Sequence, residues 1–377
     1  VTTPVITPFA YLFVLVAVSS LECAGCGGVT GPFWKVFLRN TGIAMALAVG
    51  YVVWGFDFQY AGDQPWQLLG TVKEAIDLAT VANEFETEAS RLTPAMIWGN
   101  LAMQTCFCVA SSLVVAGGIW DIKTSIITKM IAVLVYGWLV YPLFGSWNWG
   151  GGWLEAIGFR DFAGGLVIWG LAALFVAGIR IPQAMGAFHV PAKKKRSFGH
   201  RYLGTRGSAT FLLFFVFTTA PVAGLSFALS KAVILGSISV AVSITGVLLY
   251  WKAAKPSRAR RERAPALLAV LAAFVAVQAC DLDAIPTGFV AGLAAICTTL
   301  FLRLVPLDPR FWDPCSTMAV FGIGGVVGVL GVGLFEVQVL ITTQLLGLGV
   351  AALLAGGCGW VVGRIVRGRG SSSRLER

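Results

Sequence analysis

Read for polarity alone, the chain alternates long apolar runs with polar breaks. Runs bounded by Pro, Gly or charged residues fall at about 5–27, 34–55, 94–117, 124–145, 159–180, 207–227, 229–251, 265–280, 286–304, 315–335 and 339–366. Most are about 20 residues long, enough for an α-helix to cross the ~30 Å hydrocarbon core of a bilayer. The last is the longest, as a tilted helix requires. Eleven such helices with their loops use up the 377 residues. The pattern therefore predicts an all-α polytopic membrane protein, with one transmembrane domain over 1–366. A short basic tail over 367–377 reads as solvated, with added residues as one reading of its Ser- and Arg-rich end.

Composition agrees. Hydrophobic residues make up 57% of the chain and charged residues 12%, with a mean hydropathy of +0.81. A soluble domain carries about 25% charged residues, so this chain lacks the charge to coat a soluble surface. The formal charge of +10 would raise the question of nucleic acid in a soluble protein. Here the positive charge sits in loops and the tail, in "VPAKKKRSFGHR" (190–201), "KAAKPSRARRER" (252–263) and "RIVRGRG". With eleven spans all three lie on one side, and the acidic loop 56–93 with "EFETE" (84–88) lies on the other. The positive-inside rule then puts the N-terminus out and the C-terminus in. The basic loops read as orientation signals, with contact to anionic lipid as the alternative, and no nucleic-acid partner is expected. The outer loop reads as a packed entrance loop, with a binding lid as the alternative.

The opening "VTTPVITPFAYLFVLVAVSS" has neither Met nor a basic n-region, so it does not read as an intact signal peptide. Most of the eight cysteines lie inside apolar runs and read as small buried residues. "CAGC" (Cys23, Cys26) has no neighbouring His, so neither a metal nor a redox role is expected. No nucleophile–base pair or phosphate loop is visible. The expectation is a protein that is not an enzyme and has no cofactor.

Two runs share a detail. Asp161 is followed eight residues later by Trp169, and Asp313 eight residues later by Phe321. Eight residues are about two helical turns, or roughly 12 Å. These are spans 5 and 10. Five-span repeats insert in opposite directions, so spans 1–5 and 6–10 are expected to form an inverted repeat, with a long final helix outside it. The two aromatics would sit at similar depth from their helix ends, and the two helices would meet near the midplane.

"WNWGGGWLEAIGFRDFAGGLVIWG" (147–170) resembles the ammonium transporter/Rhesus (Amt/Rh) family, in which a WGGG segment leads into a DFAGG helix opening. "AMQTCFCVASS" (102–112) is similar to its third helix, and "DPCSTMAVFGIGGVVGVLGVGLF" (313–335) to its tenth. The resemblance implies an eleven-helix protomer in a homotrimer, with one pore in each protomer. In that family an outer vestibule recruits ammonium through aromatic faces and a hydroxyl. Ammonium then passes a phenylalanine gate, and a histidine pair from helices five and ten lines the pore. A bare cation in hydrocarbon is very costly, and an aromatic face replaces part of its hydration.

The chain departs from this pattern at the pair. The two positions fall on Trp169 and Phe321, and the only histidines, His189 and His200, lie in or beside a basic loop. An indole N–H only donates, and a phenyl ring has no strong acceptor, so neither can take a proton from ammonium. The recruitment side is partly retained. Phe107 and Trp149 stand at the gate and vestibule positions, although helix packing and an interfacial belt explain them equally. Asp161 matches the helix-five carboxylate, as a helix cap or as a direct aid to the cation. Span six, "ATFLLFFVFTTAPVAGLSF" (209–227), matches poorly. The vestibule hydroxyl falls on Val222 and is lost, or is replaced by Thr218 or Thr219. Phe215 and Phe217 are the candidates for a second gate residue. Glu22, inside the first span, is either a functional carboxylate or a protonated group at a helix interface. Asp313, before Pro314, reads as a cap. "GGVVG" (324–328) reads as a site of close helix packing.

The function expected is that of an Amt-like protein that handles ammonium or ammonia with a degenerate, non-conducting pore and acts in sensing or regulation. It would sit in the plasma or inner membrane and meet a cytoplasmic signalling partner. A channel for ammonia or another small neutral solute is the alternative, and a structural subunit of a membrane complex is a further one. Ammonium pulses over the protein on a solid-supported membrane are expected to evoke little or no current. Currents equal to those of a histidine-paired relative would contradict the blocked pore.

Overall fold

A computed structural model describes residues 33–60, 94–122, 124–184, 264–280, 282–304 and 317–375. The expected spans at 5–27, 207–227 and 229–251 lie outside the described residues, as do both basic loops and the acidic loop beyond residue 60. Among the described residues every element is helical. Helix α1 runs Phe33–Gly50, passes through a π-helical turn at Tyr51–Gly55, and continues as Phe56–Tyr60. Helix α2 is Pro94–Ile119. Helix α3 runs Ile126–Val135, turns π-helical at Tyr136–Val140 and ends with Tyr141–Asn148. A single turn, α4, is Trp153–Ala156. Helix α5 opens directly on a π-helical turn, Gly165–Gly170, followed by Leu171–Ala184. Helices α6 and α7 are Ala264–Gln278 and Ala284–Leu304. Helix α8 contains another π turn, Met318–Gly322, and continues Ile323–Phe335. Helix α9 runs Ile341–Ala351, through a π turn at Ala352–Gly356, to Gly357–Leu375.

Six of these helices are long and apolar enough to cross a membrane, in agreement with the hydropathy reading of an integral membrane protein. Three boundaries differ from expectation by five residues or more, the first being α1, which runs on to Tyr60 and not only to 55. Helix α5 starts at Gly165 and not near 159, because Gly164 sits at φ +85, a left-handed conformation that breaks the helix and suits glycine. Helix α9 runs past 366 into the basic tail, since extending a helix through good formers such as Arg costs far less than nucleating one.

Burial sorts the helices. α2 and α5 are enclosed almost all round, which is why they are apolar on every face. α9 turns Leu345, Leu346, Leu353, Val361 and Ile365 outward, as a lipid-facing helix does. At one end of the bundle, cations close the C-terminus of α2. Arg180 Nε donates to Gly118 O at 2.9 Å and its Nη2 meets Asp121 at 2.5 Å, while Lys129 Nζ donates to Trp120 O at 2.7 Å. They cap carbonyls the helix itself leaves open and complement its dipole.

The π turns are held from outside. An i→i+5 turn widens the helix and takes a main-chain carbonyl off the regular ladder. Ser111 Oγ of α2 donates to Ile168 O at 2.5 Å, Thr298 Oγ1 of α7 to Ala319 O at 3.1 Å, and Cys108 Sγ of α2 to Gly137 O at 3.2 Å. Each acceptor lies in a π turn of α5, α8 or α3.

Glycines bring α5, α6 and α8 into backbone contact. A Cβ on Gly325 would stand 2.6 Å from Gly165 O and 3.0 Å from Gly170 Cα. One on Gly324 would stand 2.7 Å from Ala272 O, and one on Gly328 2.5 Å from Ala276 O. The expected close packing of 324–328 is therefore observed. Gly325→Val is expected to lower the thermal midpoint in detergent, costing about 1–3 kcal/mol through overpacking. Gly349→Ala, whose Cβ would meet nothing within 4 Å, should not lower the midpoint and should raise it slightly, by the ~0.5–1 kcal/mol that Ala gains over Gly within a helix.

Candidate functional site

The site begins with a strap of non-helical backbone, 157–164, between α4 and α5. Backbone polar groups away from water must find partners within the protein. Arg160 N–H donates to Gln344 Oε1 at 3.1 Å, and Arg160 O accepts from Gln344 Nε2 at 2.8 Å. Asp161 O accepts the Trp149 indole N–H at 2.9 Å. Phe162 N–H and Ala163 N–H donate to Ala279 O at 3.2 Å and Gln278 O at 2.7 Å.

Asp161 closes the strap against α5. Its Oδ2 accepts from Leu166 N–H at 2.9 Å and Val167 N–H at 2.7 Å, two donors that the first turn of a helix leaves open. The carboxylate is only 2% exposed. Capping of α5 is thus a structural role of Asp161. Glycine is needed at 164 for space as well as for φ, because a Cβ there would stand 2.8 Å from Trp149 Cη2.

Beside the strap lies a cavity of about 560 Å³, lined by Asn148, Trp149, Glu155, Gly158, Arg160, Asp161, Phe162, Ala279, Leu282, Val332, Glu336, Gln338 and Val339. Carboxylates outnumber cations in this lining. Arg160 is drawn to Glu155 across an exposed pair at 3.4 Å. Trp149 ends α3 and is fixed by its indole N–H, with Phe107 of α2 packed against it at 6.2 Å between ring centroids and 50° between planes. Acidic walls and an oriented indole suit a small cation better than an anion.

Deeper along α5, Trp169 and Phe321 lie face to face, 5.2 Å between centroids and 18° between planes. They are 0% and 1% exposed, and each sits in a π turn of its helix. The equal offset seen in the sequence thus corresponds to an actual meeting of the two rings. Trp169 Nε1 donates to Gln278 Oε1 at 2.7 Å, which satisfies the indole in an apolar setting. Gln278 was missed by sequence reasoning. Its signal was a lone amide ending the otherwise apolar run "APALLAVLAAFVAVQ". Gln344 was missed as well, one polar residue among several at the start of α9.

The structure therefore brings Phe107, Trp149 and Asp161 together at one site and stacks Trp169 on Phe321 below it. Thr219, Phe215, Phe217 and Glu22 lie outside the described residues, as do Asp313, Cys23 and Cys26.

Three comparisons with known proteins bear on these features. The family model described as Ammonium Transporter Family matches residues 33–367. A putative ammonium transporter of Synechocystis sp. is 29% identical over 298 residues, covering 68% of this chain and 52% of that protein; the chain thus spans about half the length of this relative. A second from the same organism is 27% identical over 329 residues, covering 81% of this chain and 69% of its own. Among solved structures, a "Sensor Amt Protein" superposes with a TM-score of 0.75 at 20% identity, covering 96% of this chain and 93% of that one. Mep2 of Candida albicans gives 0.69 at 18%, covering 94% and 83%. These structures share the fold.

Asp161→Ala is expected to destabilise the protein by about 1–3 kcal/mol, because two buried N–H groups lose their acceptor. Asp161→Asn keeps one carbonyl oxygen and should lose less than half as much. Thermal midpoints of both variants in the same detergent measure the difference.

Proposed function

The chain belongs to the ammonium transporter family, and on that premise we propose that it binds ammonium at its outer vestibule without conducting it, as a sensor or regulatory membrane subunit. The observation that carries this reading is the Trp169–Phe321 stack, which fills the positions the family resemblance assigns to a histidine pair. The two rings offer no proton acceptor. Without one, ammonium would have to stay charged in an apolar passage, at high cost. The stack is also braced, by Gln278 on the indole and by glycine-lined contact of α5 with α8.

The recruiting side is built differently. Trp149 turns an indole toward an acidic cavity, and Phe107 packs behind it. Cation–π attraction at such a face contributes about 0.5–2 kcal/mol, more where water is excluded. Asp161 lines the cavity floor while its carboxylate caps α5. The reading includes eleven spans with the N-terminus out, an inverted repeat of spans 1–5 and 6–10, a homotrimer in the plasma or inner membrane, and a cytoplasmic partner that receives the signal. The fold of the "Sensor Amt Protein" supports it.

Ammonium binding and flux measured together on the purified protein test the proposal. Calorimetric binding of ammonium chloride, with sodium chloride as the blank, is expected in the absence of ammonium-evoked current on a solid-supported membrane. Conduction by the wild type would favour a transport channel, and loss of both binding and flux would favour a structural subunit. The double variant Trp169→His with Phe321→His, which restores two acceptors and frees volume, is expected to raise the current above that of the wild type.

A further inference from the structure

Gln344 is the least expected polar residue near the vestibule. It lies in the first turn of α9, is 0% exposed, and uses both ends of its amide on one residue. Arg160 N–H donates to Oε1, and Nε2 donates to Arg160 O. This is the pairing a neighbouring strand would give, supplied by a side chain 184 positions away. The arginine side chain takes no part and turns to Glu155. Gln344 therefore holds the main chain immediately before Asp161, the residue that caps α5 and accepts the Trp149 indole N–H.

The same end of α9 supports the strap in a second way. Gly347, one turn on, lies under the Phe159 ring, where a Cβ would collide with it. Gln338 and Val339, just ahead of α9, line the cavity itself. From there α9 continues without a break to Leu375, beside α5. Gly359 and Gly363 press against Phe175 O and Ile179 O of α5, and Gln183 Nε2 donates to Gly363 O at 2.9 Å. One helix thus touches the vestibule floor at one end and is tied to α5 at the other.

We propose that Gln344 is a positioning residue for the outer cation site and carries the occupancy of that site into the last helix. The inference rests on the reading of the vestibule as an ammonium site. A cation held in the acidic cavity beside Trp149 bears on the strap, and Gln344 is where the strap grips α9. By linkage, whatever shifts α9 from its far end must change cation affinity by the same factor.

The test uses the full-length protein in nanodiscs, with ammonium chloride as the probe and sodium chloride as the blank. Gln344→Met keeps the volume and removes both hydrogen bonds. It is expected to weaken ammonium binding by about tenfold, as both main-chain groups of Arg160 lose the partner that holds the strap. Hydrogen–deuterium exchange supplies a readout that loose packing alone would not move. Saturating ammonium should change exchange in 357–375 of the wild type. In Gln344→Met, at ammonium concentrations giving equal occupancy, exchange should respond in the strap 157–164 and not in 357–375. Should the Met variant fail to assemble, Gln344→Asn, which is too short to reach both Arg160 groups, is expected to act in the same direction. Wild-type affinity in the variants, or an α9 response equal to that of the wild type at matched occupancy, would overturn the proposal. So would a wild type that binds ammonium with no change in 357–375. A wild type that binds no ammonium overturns the vestibule reading, and this inference with it.

Discussion

The rest of the structure depends on one constraint: inside a bilayer the backbone has no water to bond with. Regular helices meet it within themselves, but this protein departs from regular helix at the places that matter. The π turns of α5 and α8 widen the helix and move carbonyls off the ladder, and Ser111 and Thr298 reach across from α2 and α7 to take up Ile168 O and Ala319 O. The strap ahead of α5 is served residue by residue, by Gln344, Trp149 and the end of α6. A handful of polar side chains in an apolar bundle is therefore accounted for by irregular backbone.

That irregularity places the chemistry. The π turns of α5 and α8 put Trp169 and Phe321 at the crossing of the two helices, where Gly165, Gly170 and Gly325 let the backbones touch. With side chains at those glycines the helices would stand apart and the rings would not stack at 5.2 Å. Above them, the left-handed Gly164 turns the chain so that Asp161 faces back on the first turn of α5. Vestibule and stack are thus consecutive outcomes of one short segment, "DFAGGLVIWG". They differ in what they offer a cation: an acidic, indole-faced cavity outside, and two closed aromatic rings within.

Much of the fold was legible because hydropathy and length are local properties. The runs at 94–117, 124–145, 286–304 and 315–335 match observed helices to within a few residues. Asp161 was legible as a cap from its place at a helix opening, and the 324–328 glycines as a packing surface. The shared offset of Trp169 and Phe321 was visible as spacing. Gln278 and Gln344 were not legible, since each is one amide in a helix and its partner lies 109 or 184 residues away. The π turns of α3, α5 and α8 also left no sequence signal, because the side chains that take up their carbonyls come from neighbouring helices.

By itself the sequence determined that this chain lives in a membrane, which segments are apolar enough to cross it, and that no histidine stands at position 169 or 321. Composition and residue identity suffice for such statements. Only the tertiary structure decided that the two aromatics face each other, that the Gln278 amide holds the indole, and that Gln344 of the last helix grips the strap ahead of α5. Those outcomes depend on where distant segments meet within a few ångströms, and that is set by glycine-permitted backbone approach together with the need to satisfy main-chain polar groups where the helix is irregular.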